Sequence, residues 1–142
     1  MIDVLITFDS QGVSSHPNHI SLYHGARAFV SSLAGGDNPK NKGPHIIELY
    51  ALTSVNFVRK YTGMFDVFAT LGSSAAFLSS EARAAERPSS LVYMHGLGRE
   101  GWATARRTMT EAHVSQMRWF RYGWITLSRY MYVNDLNLVE FS

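Results

Sequence analysis

The spacing of apolar and polar positions changes several times along the chain, and each change marks a predicted element. Ile2 to Phe8 (IDVLITF) is β-branched and apolar except for Asp3. A short run of this kind predicts a strand buried on both faces, as in parallel sheets. Asp9 to Pro17 (DSQGVSSHP) is rich in turn formers, and Pro17 fits the first turn of a helix with Ser15 or His16 as its N-cap. From there to about Ser32, Ile20, Tyr23, Ala26, Val30 and Leu33 recur at spacings of three and four. That is one stripe of an amphipathic helix, with Arg27 beside the stripe and able to reach water.

Gly35 to Pro44 (GGDNPKNKGP) predicts a loop by composition. His45 to Leu52 (HIIELYAL) predicts a second strand, and Thr53 or Ser54 a cap for a brief helix around Val55 to Tyr61. Met64 to Leu71 is apolar and fits helix or strand. Ser73 to Ser90, rich in Ser and Ala and ending in RPSS, reads as a surface insertion. Leu91 to His95 (LVYMH) predicts a third strand, and helices follow over Gly101 to His113 and Ser115 to about Val133. The alternation of strand and helix predicts an α/β fold, a mainly parallel sheet with flanking helices. Ligands of such sheets sit at the carboxyl ends of the strands, where the loop from Asp9 to His19 falls.

Composition narrows the chemistry. The chain has 142 residues, one domain's worth, and no cysteine. A disulfide scaffold, a thiolate metal site and a Cys nucleophile are thereby excluded, and any metal must sit on His, Asp or Glu. The net charge of +2 is too small to argue for nucleic acid. It is unevenly placed: six Arg face two Glu between Arg99 and Arg129, whereas the rest holds seven basic and nine acidic residues. The most apolar long run, Met117 to Val133, is broken by Arg118, Arg121 and Arg129 and falls short of the roughly 20 apolar residues of a membrane span. Met1 is followed by Ile-Asp-Val, without the basic start of a signal peptide.

Asp9, His16, Asn18 and His19 gather in FDSQGVSSHPNH. Residues three apart are neighbours on a helix face, so His16 and His19 can converge at a helix N-terminus, whose dipole favours an anion such as a developing oxyanion. Neutral His is also a zinc ligand, but a catalytic zinc takes three protein ligands, which this loop alone does not supply. The same residues fit a plainer reading, a helix cap, a surface histidine and a loop carboxylate at Asp9. His24, His45 and His95 show no partner. His113, in AHVSQ, fits a cation at a helix C-terminus, with Ser115 capping the next helix. In MRWFRYGWITLSRYM, Trp119, Phe120, Tyr122 and Trp124 alternate with Arg118, Arg121 and Arg129. This suits either a helix lying at a membrane interface or an aromatic face packed on the sheet with the Arg side chains snorkelling to water.

The run TFDSQGVSSHPNH resembles the second motif of the PIG-L/LmbE family of zinc-dependent de-N-acetylases. TMTEAHVSQMRWFRYGWITLSRYM resembles the corresponding end of its eukaryotic branch, with LTSVNFVRKY between the two blocks. The resemblance covers the chain apart from 35–44 and 73–90. It implies a Rossmann-like α/β domain. It implies zinc as cofactor, held by a His and an Asp of an N-terminal His-Pro-Asp-Asp motif and by the last His of the second motif, which matches His19. It gives His16 the role of stabilising the oxyanion and leaves the general base to the other Asp of the N-terminal motif. Asn18 stands where bacterial members often carry Asp. Asp9, Asn18, His113, Arg118 and Arg121 are the further candidates for contacting substrate or supporting the site. The eukaryotic branch hydrolyses the N-acetyl group of N-acetylglucosaminylphosphatidylinositol in GPI-anchor synthesis. It therefore implies that lipid and a membrane surface as partners, no nucleic acid, and the cytoplasmic face of the endoplasmic reticulum membrane as location.

The chain departs from the family in lacking the His-Pro-Asp-Asp motif: its only His-Pro is His16-Pro17, followed by Asn18. It is therefore expected to be the C-terminal portion of a single de-N-acetylase domain, with the N-terminal strands missing, an incomplete zinc site and negligible activity by itself. The alternative is a shortened, non-catalytic product that binds a membrane or a partner. The nucleotide sequence upstream of Met1 separates the two.

Overall fold

The computed structural model describes residues 2–34, 47–78, 88–95 and 99–141. The loop expected at 35–44 lies outside them, as do His45 and most of the second half of the insertion expected at 73–90. The chain divides into two compact units. One comprises Met1–Ser54, Pro88–Leu91 and Leu136–Ser142, the other Val55–Arg87 and Val92–Asp135. The strands β1 (Val4–Phe8), β2 (Glu48–Leu52), β3 (Ser90–Met94) and β4 (Val133–Leu138) form a mixed sheet of order β1-β2-β4-β3. β1 and β2 run parallel, in register from Val4 opposite Glu48 to Phe8 opposite Leu52, and β2 and β4 run antiparallel. With helices flanking this sheet, the architecture is an α/β fold of Rossmann-like type.

In the first unit, β1 leads into a tight turn, α1 (Gly12–Ser15), whose backbone angles are not those of a regular helix, and then α2 (Pro17–Ala34). The stripe expected on α2 faces inward at Ala26 and Val30, which pack with Ile47, Leu49, Leu5 and Val139. Leu49 is wholly buried, worth about 1.5–3 kcal/mol for a side chain of this size. Leu33, at the end of the stripe, is exposed. Arg27 does not simply reach water: its guanidinium lies 5.8 Å from the Tyr23 ring centroid and 5.7 Å from that of Phe141. β1 is not buried on both faces. It stands at the edge of the described sheet, with Val4 and Ile6 exposed on one face and Leu5 turned to the core.

In the second unit the short helix α3 (Phe57–Lys60) is capped by Asn56, whose side-chain oxygen accepts from Arg59 N–H at 3.0 Å, not by Thr53 or Ser54. A 3-10 turn at Gly63–Phe65 feeds α4 (Asp66–Leu78), so the segment that fitted helix or strand is helical. The helix runs on through Ser73 into the stretch expected to be an insertion. α5 (Arg99–Arg107) widens into a π-type turn at Thr108–Ala112. The single helix expected from Ser115 to Val133 is several elements: a 3-10 turn at Val114–Gln116, α6 (Trp119–Leu127), a second 3-10 turn at Arg129–Met131, and then β4.

Arg129 holds the centre of this unit and is fully buried rather than snorkelling. Its Nη1 donates to Asp135 Oδ1 at 2.7 Å and its Nη2 to Thr70 Oγ1 at 2.8 Å. Its Nε makes an ion-pair contact of 2.5 Å with Asp66 Oδ2. Arg59 approaches Asp66 with Nε and Nη2 at 2.8 and 3.1 Å. Burial alone would push the Asp66 carboxyl up, but the hydrogen bonds from Arg59 and Thr70 and the charge of Arg129 outweigh it and hold it below the usual carboxylate range.

Candidate functional site

The site begins where β1 ends. Asp9 follows Phe8, and its carboxylate accepts four hydrogen bonds. Oδ1 takes the N–H of Gln11 at 3.1 Å, the N–H of Gly12 at 3.0 Å and the hydroxyl of Ser54 at 2.6 Å. Oδ2 takes the N–H of Ser54 at 2.6 Å. Ser54 lies just beyond β2, so this one carboxylate ties together the carboxyl ends of the two parallel strands. Hydrogen bonds to a charged acceptor contribute about 1.5–3 kcal/mol each. Asp9 is thereby spent on holding the loop, in line with the plainer reading of its sequence position. An open depression of about 280 Å³ lies beside it, lined by residues that include Tyr23, Thr53 and Asn137.

The turn that Asp9 starts is tight. Gly12 has φ +61°, and Val13 and Ser15 also take positive φ, at 62° and 55°. For a β-branched residue such as Val13 this is a costly conformation. The chain meets that cost with fixed partners, since Val13 N–H donates to Ser54 Oγ at 2.8 Å. The result is an abrupt entry into α2 that turns two imidazoles toward each other, with His16 and His19 ring centroids 5.1 Å apart.

Their hydrogen bonds give the two rings opposite protonation. His19 Nδ1 lies 3.1 Å from the carbonyl oxygen of Gly12. A carbonyl can only accept, so Nδ1 carries the proton and Nε2 keeps its lone pair. A metal-ligating histidine is oriented in this way when its other ring nitrogen donates to a carbonyl. The ring is also stacked on Phe8, centroids 3.9 Å apart and planes within 10°. His16 sits at the N-cap position of α2, where its Nδ1 accepts from the N–H of Asn18 at 3.3 Å. In the neutral ring the proton is then on Nε2, which becomes a donor facing solvent. The exposed Asn18 supplies its backbone N–H to this arrangement.

The donor set suits a metal only in part. His19 offers one imidazole lone pair, but among the described residues no three His, Asp or Glu side chains cluster so as to hold an ion. His19 fits one position of a ligand set, and the described chain does not complete the set.

The other candidates belong to the second unit. His113 is exposed between the π-type turn and the following 3-10 turn, and its carbonyl accepts from Gln116 N–H at 2.9 Å. It stands at the C-cap position of the π-type turn that continues α5, as expected of a helix end, but Ser115 does not cap α6, whose N-cap position is Arg118. Arg118 is exposed, and Arg121 donates to Gln116 Oε1 at 3.4 Å. His24, on α2, is exposed and meets the edge of Tyr23 at 5.3 Å, while His95 gives its backbone N–H to Tyr132. Sequence reasoning missed Gly12, Phe8 and Ser54 as partners of the site. Gly12 had a visible signal, a glycine inside a turn-rich run. The Ser54 contact with Asp9 spans 45 positions and had none.

The chain resembles curated proteins along almost its whole length. It is 42% identical to the N-acetylglucosaminyl-phosphatidylinositol de-N-acetylase of Arthroderma benhamiae, over 95% of this chain and 45% of that protein. It is 38% identical to the probable enzyme of that name from Schizosaccharomyces pombe, over 95% of this chain and 46% of the relative. It is 31% identical to that of Saccharomyces cerevisiae, over 97% and 47%. The chain thus spans about half the length of the curated relatives it matches. No family model matches it, and no solved structure matches it. Along almost all of its own length, the chain is similar to curated proteins named N-acetylglucosaminyl-phosphatidylinositol de-N-acetylase.

Proposed function

We propose that this chain is the portion of an N-acetylglucosaminyl-phosphatidylinositol de-N-acetylase that contributes one zinc ligand, His19, and the oxyanion donor, His16. The reaction is hydrolysis of the N-acetyl amide of the glucosamine headgroup, releasing acetate, at the cytoplasmic surface of the endoplasmic reticulum membrane. The observation that carries the reading is the pairing of two neighbouring imidazoles, His19 Nδ1 with the Gly12 carbonyl and His16 Nδ1 with the Asn18 N–H, which in the neutral rings leaves a lone pair on Nε2 of His19 and an N–H on Nε2 of His16. The names of the homologues support the substrate.

Zinc, when bound, supplies a Lewis acid and makes its water acidic enough to deprotonate near neutral pH. The chain's own residues do the rest of what can be derived. The Gly12 carbonyl and the Phe8 ring hold His19 with Nε2 presented for ligation. His16 Nε2–H donates to the carbonyl oxygen as it gains charge on becoming tetrahedral, and the N-terminus of α2 adds the positive end of a helix dipole. Asp9 keeps the loop closed and Asn18 fixes the His16 ring.

The test is acetate release from N-acetylglucosaminylphosphatidylinositol by the protein that carries this chain, supplied with zinc. His19→Ala is expected to abolish turnover and lower zinc content. His16→Ala is expected to keep zinc and lower kcat by about 10²–10³, the usual effect of losing an oxyanion donor. Absence of release by the unaltered protein, or unchanged release by His19→Ala, would overturn the reading.

A further inference from the structure

The second unit carries an aromatic surface for which the proposed chemistry has no use. Phe57 of α3 meets Tyr61 with ring centroids 4.9 Å apart, and Tyr61 meets Trp124 of α6 at 6.1 Å. Trp124 meets Phe120 at 5.7 Å, and Phe120 meets Trp119 at 5.9 Å. Five rings from two elements thus form one continuous ladder. They do not close a core: Trp119 is 86% exposed, Phe57 77% and Trp124 53%. Contiguous exposed apolar area of this kind marks an interaction surface.

The charge on the segments that carry the ladder is mostly cationic. Residues 57–65 and 114–134 contain Arg59, Lys60, Arg118, Arg121 and Arg129, and the carboxylates that directly follow, Asp66 and Asp135, are taken up by Arg59 and Arg129. Arg59 and Arg129 are bound to Asp66. Lys60 lies beside the Tyr61 ring, its Nζ 5.8 Å from the centroid, and in the sequence Arg118 and Arg121 flank Trp119 and Phe120. No described helix is long and apolar enough to cross a membrane. Tryptophan and tyrosine set among cations, on a helix too short to span, match what the headgroup layer of a bilayer selects. The rings lie at the boundary of polar and apolar, and the cations meet lipid phosphates.

We propose that this ladder is a membrane-docking face whose occupant is the headgroup layer of an anionic bilayer, with Trp119 as the inserted ring and Arg118 and Arg121 on the phosphates. The choice of a bilayer rests on the proposed action on a lipid substrate, and the inference goes further in naming the face that meets it. Flotation of the chain with vesicles of phosphatidylcholine, with and without phosphatidylinositol, tests it, alongside tryptophan fluorescence. Binding is expected to require phosphatidylinositol, to weaken as salt is added, and to blue-shift the emission. Arg118→Ala and Arg121→Ala are each expected to lower partitioning about fivefold. Trp119→Ala should lower it and remove most of the blue shift, while Phe29→Ala, an exposed apolar position on α2, leaves both unchanged. No binding to either vesicle overturns the proposal, as does equal loss with Phe29→Ala. So does a Trp119-dependent dimer without lipid binding, which would make the face a protein interface. Binding needs no turnover, so the vesicle result and the acetate-release result can fail separately.

Discussion

Gly12 is the residue on which the candidate site turns. Its φ of +61° disfavours any L side chain, and an added Cβ would lie 3.0 Å from Ile20 Cγ1 and 3.1 Å from His19 Cβ. Its carbonyl also sets the proton of His19. Gly12→Ala is therefore expected to cost about 1–2 kcal/mol from the backbone alone and to displace the His19 ring from Phe8, read as a lower melting temperature and a changed His19 resonance. Asp9→Ala acts on the same loop from the other side. It removes the acceptor of the Gln11 and Ser54 N–H groups and one of the two acceptors of the Gly12 N–H, and a greater loss of stability than from Gly12→Ala is expected. At this scale the sequence was informative. His16 and His19 could be placed from Pro17 at a helix start and a spacing of three. Their roles could not be read from spacing, because they depend on a carbonyl and an aromatic ring brought in by the fold.

At the scale of elements, the second unit depends on a buried ion cluster. Removing one partner of a buried pair costs about 3–5 kcal/mol because it strands the other, and Arg129 has two carboxylate partners, Asp66 and Asp135. Arg129→Ala is expected to destabilise the unit by that order in denaturant melts near neutral pH. The sign with pH follows from Asp66, whose carboxyl is held below its ordinary value in the fold. Its contribution is full above the unfolded value of about 3.9 and is lost as pH falls from there through the folded value. The deficit of Arg129→Ala should accordingly narrow in acid, and a deficit that is constant with pH would contradict the pairing. Little of this was legible. Arg129 stands among aromatic residues as a surface cation would, and Asp66 lies far upstream. β4 was hidden for a related reason. Its buried residues are Val133 and Leu136, three apart, so the strand lacks the alternation that identifies one. The β1, α2 and β2 elements were legible because apolar, β-branched runs and a three-and-four spacing mark them in the sequence.

At the scale of the whole chain, it spans 45–47% of the length of the three curated relatives named above, and the candidate residues are divided between its two units. The α/β alternation is readable from the order of strands and helices, whereas the mixed sheet is not, since the sequence predicts no element over residues 134–138, which form most of β4. The first unit presents a preformed pair of histidines, without a complete metal set among the described residues. In the proposed function, this chain holds its share of a zinc amidase site in the fold it adopts. The most direct measurement is a ¹⁵N NMR spectrum of the histidine rings of the whole chain at neutral pH, with and without added zinc. The account expects the proton on Nδ1 in His19 and on Nε2 in His16, and a zinc-dependent shift at His19 Nε2 that disappears in Gly12→Ala. The reverse pair of tautomers, or a zinc shift at His16 with none at His19, would contradict it.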